Sequence, residues 1–200
     1  GLSAANINEF LTDALPVWTG VQVLGLTTDQ INTLSTVATS ALSTSAVAGL
    51  STAQIVALNT AQMAVLNSMQ VKALKPIQIT ALETQDLAVL NTANFAVLDK
   101  TQFSALTTAQ IATLSTAALS SLSSSALTGL SSSQIVALTT YQVANLTTKF
   151  IDALTAKQLS SIELRNIAVL STSNFAVLSS TQVLGLSTTQ IASLSTSALS

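Results

Sequence analysis

The sequence contains no cysteine and no histidine. The first absence excludes disulfides, thiol nucleophiles and thiolate metal sites, and the second removes the usual general base near neutral pH. Charge is scarce as well: six Lys and Arg face eight Asp and Glu, 7% of the chain, for a net charge of −2. No basic patch large enough to neutralise a nucleic-acid backbone can be assembled from so few cations. Proline occurs twice, glycine six times, and aromatic residues make up 4%. Regular Gly, Asn-Gly or Asp-Gly corners, the marks of tight β turns, are missing. Apolar residues reach 48% with a mean hydropathy of +0.60, yet Ser, Thr and Asn interrupt them throughout. No stretch approaches the ~18 consecutive apolar residues of a membrane-spanning helix.

What the chain does have is one short pattern repeated. Leu50-Ser-Thr-Ala-Gln-Ile-Val-Ala57 is followed at Leu58 by a variant of itself, and leucine returns every eight residues from Leu2 to Leu194. Phe10, Trp18 and Ile162 are the only replacements in that column. The chain is read as a single continuous array over 1–200, about 25 octads, of which residues 1–25 are the least regular. It ends in mid-octad with no polar capping unit, so the expectation is a segment of a longer protein. Segments such as Leu90-Asn-Thr-Ala-Asn-Phe-Ala-Val97 and Leu170-Ser-Thr-Ser-Asn-Phe-Ala-Val177 recur eighty residues apart, a superperiod of ten octads that records a duplication.

Numbering the leucine as position one, position two is usually Ser, Thr or Asn and position five usually Gln or Asn. A hydroxyl or amide side chain at the N-cap with Gln three residues later is a capping box. The apolar residues at positions one and six, Leu50 and Ile55 for example, then form the hydrophobic staple across the helix start. Pro76 falls on the first helical position, where proline is tolerated. Each octad therefore restarts a helix of about six residues, too short to stand alone. It persists only if stacked neighbours bury the Leu and Ile columns, which predicts an all-α solenoid of short capped helices, one per repeat. A coiled coil needs a seven- or eleven-residue repeat. A β-solenoid is the alternative, because Ser and Thr arrays suit strands. The three-residue spacing from position six to the next leucine favours helix.

Catalysis is not expected. The acidic residues scatter over several columns with no recurring pair, and Ser and Thr stand at capping positions without a base to activate them. No cofactor or metal is expected. One cluster departs from chance: Tyr141, Lys149, Lys157 and Arg165 hold position four in successive octads. If octads stack in chain order, these make a basic stripe with an aromatic end, a candidate surface for an anionic glycan or a protein partner. Self-association, end to end or lateral, is the other expected partnership. Like columns in register also suggest ladders of Asn, Gln, Ser and Thr side chains.

The octads Leu106-Thr-Thr-Ala-Gln-Ile-Ala-Thr113 and Leu186-Ser-Thr-Thr-Gln-Ile-Ala-Ser193 resemble the Leu-Thr-Thr-x-Gln-Ile/Val-x-Ala arrays of very large secreted or surface proteins of Gram-negative bacteria. Those are often labelled haem utilisation or adhesion proteins. The resemblance implies an extracellular structural element, an adhesin stalk, spacer or filament. The haem label finds no ligand in the chain, since it has no His or Cys and Met63, Met69 and Tyr141 stand apart. A solenoid that binds a glycan or protein along one face is the alternative function.

Overall fold

The structure, a computed structural model, describes residues 17–194. The irregular features at Phe10 and Pro16 lie outside them. Among the described residues every regular element is a helix of four to six residues, from Gly20–Leu24 to Thr188–Ala192, and there is no strand. This is the all-α solenoid of capped helices, and the β-solenoid alternative falls.

Most helices begin as their octads predict, although the N-caps Lys75, Glu83 and Glu163 make no side-chain cap bond. At Thr52–Ala57 the N-cap Ser51 is extended, with φ −70° and ψ 162°. Its Oγ accepts from the Gln54 backbone N–H at 3.2 Å, while the Ser51 N–H donates to Gln54 Oε1 at 2.9 Å. Asn59, Asn67 and Asp99 do the work of serine at other starts. Pro76 is the first residue of Pro76–Ala81. Each helix stops because the next leucine returns to extended backbone, as at Leu58 with φ −66° and ψ 130°.

Leucine at position one and the residues at positions five and six are buried, whereas positions two, three, four and seven are mostly exposed. Fully burying a Leu or Ile side chain contributes roughly 1.5–3 kcal/mol, so two such columns supply what nucleation of a six-residue helix lacks.

The chain divides after Leu98 into two compact units. In the first, helices pack on those 24 residues before them, which gives three stacks. Gly20–Leu24, Thr44–Gly49, Ser68–Ala73 and Thr92–Ala96 make one; Thr28–Asn32, Thr52–Ala57 and Pro76–Ala81 the next; Thr36–Ala41, Thr60–Ala64 and Thr84–Val89 the third. The second unit repeats the scheme. There Lys100–Ser104, Ser124–Leu127, Thr148–Ala153 and Thr172–Ala176 stack, as do Thr108–Thr113, Ser132–Val136, Ala156–Ser160 and Ser180–Leu184. Its third side carries Thr140–Ala144, Leu164–Ile167 and Thr188–Ala192. Three octads, 24 residues, thus complete one turn in each unit.

No described residue has a positive φ. Glycine at position eight therefore does not serve a left-handed turn; it permits close approach. A Cβ on Gly49 would lie 2.1 Å from the Gly20 Cα, backbone against backbone on the adjacent turn.

Candidate functional site

The outward faces are where a partner would meet the chain, and what holds them in place is the position-five column. Gln62 is 1% exposed, and its amide serves two helices at once. Oε1 accepts from the Asn59 N–H at 2.8 Å, completing the local cap. Nε2 donates to the Ile31 and Leu34 carbonyls one turn back, both at 2.8 Å. The first carbonyl belongs to the end of a helix and the second to the corner that follows it, groups a short helix leaves without intrahelical partners. The same pair of acceptors, 31 and 28 residues earlier, recurs for Gln54 (Val23 and Leu26), Gln78 (Val47 and Leu50), Gln142 (Ile111 and Leu114) and Gln158 (Leu127 and Leu130). The expected ladder of like side chains is thus corrected for this column. Glutamine pairs with the backbone of the preceding turn, because its amide reaches the corner leucine carbonyl, which would otherwise be buried without a donor.

Departures from glutamine show how strongly the corner carbonyl needs a donor. Asn94 and Asn174, shorter by one methylene, keep the cap and the bond to the leucine carbonyl 28 residues back, Leu66 and Leu146. Phe150 can donate nothing, and there the neighbouring Lys149 Nζ donates to the Leu122 carbonyl at 2.7 Å. Asp86 is the odd member. It is 1% exposed, and neither carboxylate oxygen makes a hydrogen bond of proper geometry. Burial pushes its carboxyl above the ordinary aspartate value. The nearby Glu83 N–H opposes the shift and the Glu83 carboxylate adds to it. Nothing in the octad pattern pointed to Asp86 or to the role of Lys149. The signal was there all the same: both are charged residues in or beside the one polar column that is buried.

The structure places the four residues of the expected stripe on three sides. Tyr141 and Arg165, 24 residues apart, lie on the stacked helices Thr140–Ala144 and Leu164–Ile167. Lys149 and Lys157 belong to the other two stacks of that unit. Consecutive octads run around the turn, so the premise that they stack in chain order does not hold. Tyr141 is 73% exposed, and Arg165 pairs with Glu163 at 2.6 Å on the surface. Lys149 is engaged with Leu122 as described.

Elsewhere the outward columns are bland, mostly Ser, Thr and Ala. A shallow groove in the first unit is lined by Thr28, Asp29, Asn32, Asn59, Glu83 and Gln85 among others and opens widely to solvent. Among the described residues no group of three or more Asp or Glu is placed to hold a metal ion, and no helix is long and apolar enough to cross a membrane.

The sequence profile described as ALTTAQ repeat matches residues 40–68, 79–116, 115–148 and 159–196, more than half of the chain. No curated protein matches it.

Proposed function

The chain belongs to the ALTTAQ-repeat family, and from that premise we propose that it is a structural repeat segment of a large exported surface protein, a stalk or spacer whose units also assemble into filaments. The observation that carries this reading is the uniformity of the array. Positions one, five and six are buried in most octads on all three sides of each unit, and the outward positions are small and uncharged in most octads. A scaffold needs a self-supporting core and an indifferent surface; it needs no catalytic constellation, and we read the chain as non-enzymatic. Because turns within each unit are bonded to the turn before, added octads extend the element without redesign. Head-to-tail contacts between copies, which need not close, would turn the same increments into fibres. Export and a bacterial surface location are part of the proposal and rest on the resemblance of its octads to those of large secreted proteins.

A binding solenoid is the second reading. It is favoured by one observation, the presence of exposed Tyr141 and Arg165 at the same octad position on two stacked helices, which puts an aromatic residue and a cation on one side of the unit.

Cryo-electron microscopy of the purified chain, alongside variants lengthened by 24-residue blocks copied from residues 50–73, tests the scaffold. The proposal expects particles or fibres that grow by a constant step per block. A step that varies from block to block, or added blocks that leave length unchanged, would contradict it. Loss of binding to an array of glycans on Tyr141→Ala would instead establish the second reading.

A further inference from the structure

Asp86 occupies the column in which glutamines such as Gln62, Gln78 and Gln142 donate hydrogen bonds to the preceding turn. Among the described residues, the three asparagines of that column have side chains of the same length as aspartate. Asn94, Asn166 and Asn174 each donate from Nδ2 to the leucine carbonyl 28 residues earlier, at 3.0, 3.0 and 3.1 Å. The carbonyl 28 residues before Asp86 is that of Leu58, at the corner after Thr52–Ala57. An ionised carboxylate has no hydrogen to give it. It would set a buried negative charge against the negative end of the carbonyl dipole, with both oxygens unpartnered. A carboxylic acid carries an O–H where asparagine carries an N–H.

We propose that Asp86 is a proton-dependent staple: protonated, it donates to the Leu58 carbonyl and closes its turn; ionised, it loosens that turn while the rest of the unit stays shut. The joint is local because a solenoid opens by breaking contacts between neighbouring turns, not throughout. The surrounding charges act in the same direction. Thr60–Ala64, the helix on which Thr84–Val89 stacks, has no charged residue, and neither has Thr52–Ala57. The titratable group facing Asp86 is Glu83 at its own N-cap, and Asp29 lines the surface groove beside Glu83. The Glu83 carboxylate, a like charge, favours keeping the proton.

The carboxyl is raised in the folded chain. Its contribution is therefore fully present below the ordinary aspartate value and is lost as pH rises through the folded value. By linkage, the opening equilibrium of this turn grows about tenfold per pH unit between ~3.9 and the folded pKa, then levels off. The joint tightens in acid, opposite to the usual loss of carboxylate pairing.

Hydrogen exchange on the whole chain, read as protection factors at Ile55, Leu58 and Leu87 across acid to neutral pH, tests the proposal together with a carbon-13 titration of the Asp86 carboxyl. Protection should fall as pH rises, and the carboxyl should titrate above the ordinary aspartate range. Asp86→Asn, which donates at every pH, should hold protection flat at the acid value of the wild type. Glu83→Gln should keep the pH response. A carboxyl that titrates at or below the ordinary value would overturn the proposal. So would identical profiles for wild type and Asp86→Asn, or a response that vanishes in Glu83→Gln, which would make Glu83 the titrating group.

Discussion

Replacing Gln62 by alanine separates the two functions of the buried amide. The substitution removes the Asn59 N–H to Oε1 bond and two bonds of 2.8 Å to Ile31 and Leu34. The Ile31 carbonyl still accepts from the Leu34 N–H at 3.2 Å, but the Leu34 carbonyl at the buried corner loses its donor. A lost intramolecular bond costs roughly 0.5–1.5 kcal/mol net and an orphaned buried acceptor roughly 1–3 kcal/mol. Together these give about 3 kcal/mol, a large part of the ~5–15 kcal/mol by which a domain is usually stable. Asn59→Ala removes the cap contact together with the solvent-exposed Nδ2 bonds to Asn32, and should cost about 1 kcal/mol. Gln62→Glu keeps the shape but cannot donate when ionised. It should be worse than alanine at neutral pH and recover as pH falls through the folded pKa that burial raises, with recovery complete by ~4.3, where the acid has regained its donor. Urea unfolding followed by circular dichroism at 222 nm, with hydrogen exchange to localise the loss, provides the assay. The reasoning fails if Gln62→Ala costs no more than Asn59→Ala, or if Gln62→Glu matches the wild type at neutral pH.

Further substitutions probe the packing. Gly49→Ala should destabilise the first unit by more than ~2 kcal/mol in a thermal melt, because its Cβ would meet the Gly20 backbone, which has no side chain to move aside. Gly25→Ala, whose Cβ would meet only the Gln22 carbonyl at 3.3 Å, should be neutral or slightly stabilising by the same measurement. Lys149→Met should cost about 1–3 kcal/mol in urea unfolding by orphaning the Leu122 carbonyl, and adding Phe150→Gln should restore most of it by reinstating the usual amide. Ile111→Ala, fully buried at position six, should lower stability by roughly 2–5 kcal/mol in the same titration.

The helix starts, their length and the buried Leu and Ile columns are legible in the octad, because a capping box is a local device written within four residues. What joins one turn to the next is not local. Glutamine at position five reads as a cap, and its second task shows only when Leu34 and Gln62, 28 residues apart, are brought together. The number of octads per turn is likewise hidden, since every octad looks alike and any of them could stack on any other. That ignorance produced the stripe of Tyr141, Lys149, Lys157 and Arg165: the spacing was real, but three helices per turn send successive position-four side chains out of different sides. Gly49 serves close approach to the adjacent turn, since the corners are made by extended residues at positions one and two. Asp86 was passed over as one scattered carboxylate because burial of position five is a property of the stack.

The inter-turn amide is the central claim, and the Gln62 side chain is the place to measure it. In a segmentally labelled sample, nuclear Overhauser contacts from the Gln62 Nε2 protons should reach Ile31 and Leu34, and those protons should exchange slowly with solvent. Contacts confined to Asn59 and its own helix, with exchange as fast as a free glutamine, would mean that the turns are not held together by this column.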